Sequence, residues 1–496
     1  MITPPYYPIV YIRGYAGTQG AVESTVATPY MGFNVGSTMI RQAPDRSTYG
    51  NIFESPVIRL GKDHEYRDVY ERGDIIARGQ PFPPRSIWVF RYYDQVSKEM
   101  SPDPERPEME SYAEQLGDFL DEIRDMVCDS EDEDEAEDAR KNFKVYLVAH
   151  SMGGLIARTY LQREVARRND PVEVDKIFTY ATPHNGIDLK ILGNLLTAVP
   201  FNNAENFNRN RMRDYLELTS KEVPVNSLDG KFPPERFFCL VGTNYKDYGV
   251  QQLAVGPMSD GLVRIANSYT AGSARAFVHK AHSGPFGIVN SEEGYQNLRR
   301  FLFGKDRVEV LLQIDEITYP PDVAKEKDKG MKVEASHHLE VIAKVRGTRW
   351  DLHRRTVAEE SAMFIDSERI DRKKPLTLMT GFLLYGARVN DKDESMGFSL
   401  DLGLRVPEYR VDGFLWMDNY YEGGYVMRDK FNFDLTRGSP PTLMYGRDSR
   451  TTNRATTGLE ATRTDAGGWE FEIPFDADSD PKLVGALIIR SSPWNR

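Results

Sequence analysis

Cysteine is almost absent: the 496 residues contain two, Cys128 and Cys239. Two thiols exclude a disulfide scaffold, and without a C-x-x-C pair they do not make a zinc site. Long apolar runs are absent as well. The longest, such as residues 145–149, fall far short of the roughly 18 residues a membrane-spanning helix needs. Positive charge is in deficit, with 63 Lys and Arg against 75 Asp and Glu and a net charge of −12. That balance excludes nucleic-acid binding as the role of the whole chain. The N-terminus, Met-Ile-Thr-Pro-Pro-Tyr-Tyr-Pro, lacks the basic start, apolar stretch and small-residue cleavage site of a signal peptide. The expected location is cytoplasmic, or outside the cell by a route that reads no N-terminal signal. No internal repeat is found. What is present, 40% hydrophobic and 28% charged residues, is ordinary for a folded chain and excludes disorder over most of the length.

Two periodicities divide the chain. Up to about residue 304, apolar runs alternate with amphipathic helical patterns. Strands are predicted at 8–12, 86–92, 144–149, 176–181, 236–242 and 275–278. Helices are predicted over 109–126, from Leu155 onward, and over 292–302. Strand-then-helix alternation implies a doubly wound, mostly parallel sheet of the α/β class. Beyond residue 304, stretches such as 340–345, 398–406 and 469–475 alternate apolar and polar residues with period two, separated by turn residues. A domain over 1–304 is therefore expected, followed by an all-β, sandwich-like domain over 305–496. Two segments are expected as loops: the acidic run 129–138 and the Pro- and Lys-rich 320–330. His337-His338 is read as part of a strand, and Asp476–Asp480 as a turn, because Pro481 stands where a calcium loop needs glycine.

The sharpest signal is Lys144-Val-Tyr-Leu-Val-Ala-His-Ser-Met-Gly-Gly-Leu-Ile-Ala157. A strand runs into a tight turn with Ser151 at its apex, and a helix follows. Such a turn lifts a serine hydroxyl clear of the sheet and brings the next backbone N–H to a helix N-terminus. Small residues are needed at 149 and 153, where larger side chains would collide across the turn. A serine nucleophile requires a base, and the base an orienting acid. Both should follow the serine in the chain, acid first, each beyond a strand. Asp260, in Ser259-Asp-Gly-Leu-Val263, fits the acid. His279 and His282 both lie beyond the 275–278 strand. His282 is favoured, because it enters a flexible Ser-Gly-Pro segment from which a side chain can turn back over the sheet. An oxyanion needs two N–H donors. Met152 supplies one by its place after the serine. The other is expected from the Tyr15 backbone, in Arg13-Gly-Tyr-Ala-Gly-Thr18; no Gly-Lys-Ser/Thr follows to make that loop a phosphate site.

In residues 8–303 these pieces resemble the lipase and esterase branch of the α/β-hydrolase family. The matching elements, in order, are Arg13-Gly-Tyr-Ala-Gly, Ala149-His-Ser-Met-Gly-Gly154, Ala181-Thr-Pro-His-Asn-Gly186, and Asp260-Gly-Leu-Val with His282. The Thr-Pro-His-x-Gly element is similar to that of bacterial triacylglycerol lipases and the lecithin–cholesterol acyltransferase group. Two positions depart from the pattern: Ala149 replaces the commoner glycine, and Arg13 stands where histidine is frequent. The resemblance implies an α/β-hydrolase fold and Ser-His-Asp cleavage of acyl or lipid esters, without metal or organic cofactor. Acyl transfer to an alcohol would use the same residues, and a non-catalytic binding protein on the same fold is the other alternative. His184 belongs to a motif that is structural in the family. His150 is expected to point away from Ser151, and neither is assigned to the triad. Residues 187–232 are the expected lid or cap, with 189–199 as its amphipathic helix over the mouth, opening at a lipid surface. Tyr30, Met31, Phe33 and Phe53 are candidates for an acyl pocket or for local core. Trp416, Tyr420, Tyr421 and Tyr425 are candidates for recognition or for sandwich core, core being favoured.

Overall fold

A computed structural model describes residues 2–14, 33, 36–42, 48–71, 74–75, 82–92, 108–187, 204–248, 255–366, 375–387, 395–411, 419–447, 457–476 and 482–495. The chain forms two compact units. Met1–Arg275 with Lys280–Phe303 makes the first, and Ala276–His279 with Gly304–Arg496 the second.

The first unit is built on a sheet whose strands are β1 (Ile9–Ile12), β2 (Arg67–Asp68), β3 (Ser86–Phe90), β4 (Lys144–His150), β5 (Glu173–Tyr180) and β6 (Phe237–Gly242). Their spatial order is β6-β5-β4-β1-β3-β2. The pairings from β2 across to β6 are parallel. Val10 of β1 lies between Trp88 and Leu147, and all three are fully buried. Continuous apolar strands of this kind require cover on both faces, which is why the runs do not alternate. The helix Met109–Val127 presents Tyr112, Leu116, Leu120 and Ile123 to the core at three- and four-residue steps.

The hydrolase-like pattern omitted one element. A hairpin, Ser37–Gln42 with Thr48–Phe53, occupies the long insertion after β1. Phe33 and Phe53 are buried against Tyr11 and Tyr295, so both are local core; Tyr30 and Met31 lie outside the described residues.

The second unit is a sandwich. One sheet has five strands, with Asp306–Ile317 and Leu483–Pro493 antiparallel at its centre. The other is led by Val333–Val345, Ser395–Val411 and Asn419–Thr436, also antiparallel. Val310 and Leu312 of the first sheet share one core with Leu339, Val341, Leu402 and Phe431 of the second. Tyr421 packs against this core, whereas Tyr425 is 39% exposed and donates its hydroxyl to Glu340; the Trp416 position and the Tyr420 side chain lie outside the description.

Two expected loops are helices. Residues Glu133–Lys141 in the acidic run form one, capped by the Asp132 carboxylate on the N–H groups of Asp134 and Glu135. Its acids fill the first turn and Arg140 and Lys141 the last, which complements the helix dipole. The other is Pro321–Asp328, with proline in its first turn and Val323 fully buried. Charge runs and a proline pair read as loop by composition, but the order of their charges suits a helix.

One buried cation ties the first unit together. Arg158, on the helix Met152–Thr159, has no exposed surface. It donates to the carbonyls of His184, Val225 and Ser227 and to the Gln162 side chain, at 2.8–3.0 Å. Burial lowers its pKa to about 10, so it stays charged at neutral pH. These bonds anchor Val225 and Ser227 of the expected 187–232 cap to the core. Within that span Met212, Tyr215 and Leu216 are also fully buried, while residues 189–199 lie outside the description. Replacing Arg158 by Met leaves the carbonyls of buried His184 and Val225 and of half-buried Ser227 without this donor and should lower unfolding free energy by about 3 kcal/mol. Denaturant unfolding checks this, and an unchanged midpoint would contradict the anchoring role.

Candidate active site

The strand β4 ends at His150, and Ser151 follows with φ 53° and ψ −125°. A non-glycine residue in this region carries strain of order 1–3 kcal/mol. The surroundings hold it there. The Ser151 N–H donates to the Tyr180 carbonyl at the end of β5, at 2.9 Å. The helix Met152–Thr159 begins at the next residue. Gly153 passes so close to β1 that an added Cβ would lie 2.4 Å from the Ile12 carbonyl oxygen. No other residue type fits that crossing. The first N–H groups of a helix have no acceptor within it, and Met152 is the first residue of this one.

The structure brings Ser151, His282 and Asp260 into one hydrogen-bonded chain. Ser151 Oγ lies 3.0 Å from His282 Nε2, and His282 Nδ1 lies 2.8 Å from Asp260 Oδ2. A carboxylate only accepts, so Nδ1 carries the proton and Nε2 presents its lone pair to the serine hydroxyl. Asp260 is fully buried. Its other oxygen accepts from the N–H groups of Leu262 and Val263, at 2.9 and 2.7 Å. The His282 N–H donates to the Asp260 carbonyl at 2.9 Å, which fixes the two loops to each other. Tyr248 stacks edge-on against the imidazole, with ring centroids 5.6 Å apart. Its hydroxyl bonds Ser283, and burial beside Asp260 raises its pKa to about 12. His279 is elsewhere, 3.8 Å from Glu359 in the second unit. Tyr15 lies outside the described residues, so of the two proposed oxyanion donors only Met152 is placed. Its neighbour Gly14 abuts Ser151, where an added Cβ would be 2.5 Å from Ser151 Cβ.

His150 and His184 stay out of this chain but are not idle. His184 Nε2 is 3.0 Å from the Thr179 hydroxyl, which itself donates to the Phe238 carbonyl. His184 Nε2 therefore carries the proton. His150 turns to the loop of His282 instead of to solvent. The sequence leaves it out of the chain because its side chain is expected to point away from Ser151; its contact with the His282 carbonyl is not visible there. Arg158 was also missed, although its spacing of three from Leu155 places it on the buried face of its helix.

The family described as PGAP1-like alpha/beta domain matches residues 106–232, the span holding β4, the serine turn and the Thr182-Pro-His-Asn-Gly186 element. That match covers about a quarter of the chain and lies within the first unit. No curated protein sequence matches the chain. Among solved structures, the lipase BlEst2 of Bacillus licheniformis in its propeptide form is 11% identical, with 84% of this chain and 97% of that one covered and a TM-score of 0.33. Phospholipase PlaB of Legionella pneumophila is 12% identical, covering 84% and 90%, with the same TM-score. A putative cell surface hydrolase of Lactobacillus plantarum is 13% identical, covering 60% and 92%, with a TM-score of 0.27.

Two histidines of the first unit make its stability sensitive to acid. Desolvation lowers the pKa of His150 to about 3 and that of His184 well below 6.5, with neighbouring cations adding to the effect. The unfolded chain binds these protons near pH 6.5 and the native state only far below. Their stabilisation is therefore complete above about pH 6.5 and is lost as pH falls, at about 1.4 kcal/mol per pH unit for each group. His184→Gln keeps a neutral donor toward Thr179 and removes one titration. Thermal unfolding between pH 6.5 and 4 should show a shallower slope for this variant, and an equal slope would contradict the buried neutral histidine.

Proposed function

We propose that the chain is a carboxylic-ester hydrolase acting on acyl or lipid esters through an acyl-enzyme. The observation carrying this reading is the strained Ser151 held 3.0 Å from an imidazole that is itself oriented by a buried carboxylate. In this reading Ser151 Oγ attacks the ester carbonyl while His282 Nε2 takes its proton. The imidazolium so formed is stabilised by Asp260, whose charge is fixed by three hydrogen bonds. The Met152 N–H, with a second donor from Tyr15, stabilises the oxyanion. His282 then protonates the leaving alcohol, and water, activated by the same histidine, releases the acid. The proton taken from Ser151 departs on the alcohol and one from water replaces it, so Ser151 and His282 end as they began and the cycle needs no metal or organic cofactor.

Two features support a lipid ester. One is the Thr182-Pro-His-Asn-Gly186 element beside the site. The other is the hairpin after β1, where Ile40 and Ile52 are 67% and 71% exposed. The pairing of Thr38 with Ile52 puts both isoleucines on one face of the ribbon. A soluble unit seldom exposes aliphatic side chains together without a surface to meet.

The test is turnover of a panel of p-nitrophenyl esters and phospholipids. Ser151→Ala should lose at least about 10⁴-fold in kcat with the fold intact, and Asp260→Asn a comparable amount through the wrong imidazole tautomer. Undiminished turnover by folded Ser151→Ala would reject the mechanism.

A further inference from the structure

One imidazole next to the Ser151–His282–Asp260 chain, partly shielded from solvent, has no part in the proton path. His150 is the last residue of β4, immediately before Ser151. Its Nε2 lies 3.0 Å from the backbone carbonyl oxygen of His282. A carbonyl only accepts, so Nε2 bears the proton and donates it. The other ring nitrogen looks toward the loop after β1: a Cβ added at Gly14 would lie 3.1 Å from His150 Nδ1. The ring centroids of His150 and His282 are 5.0 Å apart. The ring thus stands between the two chain segments that flank the nucleophile.

We infer that His150 is a positioning residue, whose Nε2–H holds the His282 carbonyl so that the His282 imidazole faces Ser151 Oγ, while its ring seats the Gly14 loop beside the serine. This inference rests on the Ser151–His282 reading above.

The local backbone shows why such a hold is needed. His282 sits in a small loop closed by Ala281 N–H to the Phe286 carbonyl and Gly287 N–H to the Gly284 carbonyl. The His282 N–H is anchored on Asp260, and its carbonyl on His150. With both ends of the residue fixed, the direction of the side chain follows. Without the second anchor the peptide plane can rotate, and a displacement of about 1 Å at the base is enough to cost about 100-fold in rate. The charge state suits the role as well. Burial keeps His150 neutral at working pH, its pKa being lowered to about 3. It does not compete with His282 for the serine proton. Nor does it place a second positive charge beside the imidazolium that forms there.

The experiment compares His150→Gln, His150→Leu, His150→Asn and Ser151→Ala on one soluble p-nitrophenyl ester, with thermal unfolding of each. The Gln amide can donate where Nε2 does, the Asn amide is too short to reach, and Leu cannot donate. For His150→Leu, kcat should fall about 30- to 100-fold with KM within about twofold of the parent, and His150→Gln should recover most of that loss. If His150→Leu does not fold, His150→Gln should still exceed His150→Asn in kcat by about tenfold. Parent-like kcat in folded His150→Leu, equal kcat in the Gln and Asn variants, or a loss confined to KM would overturn the inference. Ser151→Ala separates the two levels. Inactive Ser151→Ala with parent-like His150→Leu removes only the positioning role. Active Ser151→Ala removes the nucleophile assignment and this inference together.

Discussion

The site depends on one backbone conformation, the positive φ of Ser151. That residue cannot hold it alone. Its N–H is tied to the end of β5, the following helix starts at once, and Gly153 crosses β1 at a distance only glycine permits. The strain is thus maintained by three neighbouring elements of the parallel sheet. Relaxing any of them would let the serine fall back into the sheet and away from the imidazole. The fully buried apolar strands β1, β4 and β5 supply the stiffness this requires.

Electrostatics complete what the turn begins. Asp260 is fully buried and surrounded by donors: two backbone N–H groups and one imidazole. Polarity is concentrated on that one chain of atoms. The nearby histidines are kept neutral by desolvation, and Arg158 satisfies backbone carbonyls at a distance from the hydroxyl. Asp260, His282 and Ser151 all follow sheet strands at their carboxyl ends, where loops can vary without disturbing the core. Separation of a rigid sheet from variable loops explains how a segment with so ordinary an α/β core can carry a strained serine.

Legibility in the sequence followed the physics of each feature. The parallel strands were visible because residues such as those of 144–149 are apolar without alternation, and the sandwich because 398–406 alternates strictly. Ser151 was visible because its turn demands small residues at fixed offsets. The Ser-Gly-Pro segment after His282 is the local feature that favours it over His279, and it is His282 whose ring lies beside Ser151. What escaped depends on contacts far apart in the chain. Arg158 meets carbonyls more than sixty positions away in Val225 and Ser227, and His150 meets His282 at a separation of 132. No local pattern encodes such pairs. The two missed helices have a different cause: composition was weighed, whereas the placement of acids at the start and bases at the end of Glu133–Lys141 decides its form.

The central claim is that Ser151 is a nucleophile activated by His282. Its most direct test is peptide mass spectrometry after reaction of the full chain with a fluorophosphonate probe. The account predicts a single phosphonyl adduct on the peptide containing Ser151, lost in His282→Ala. A folded protein that remains unlabelled, or one labelled at another residue with Ser151 untouched, would contradict it.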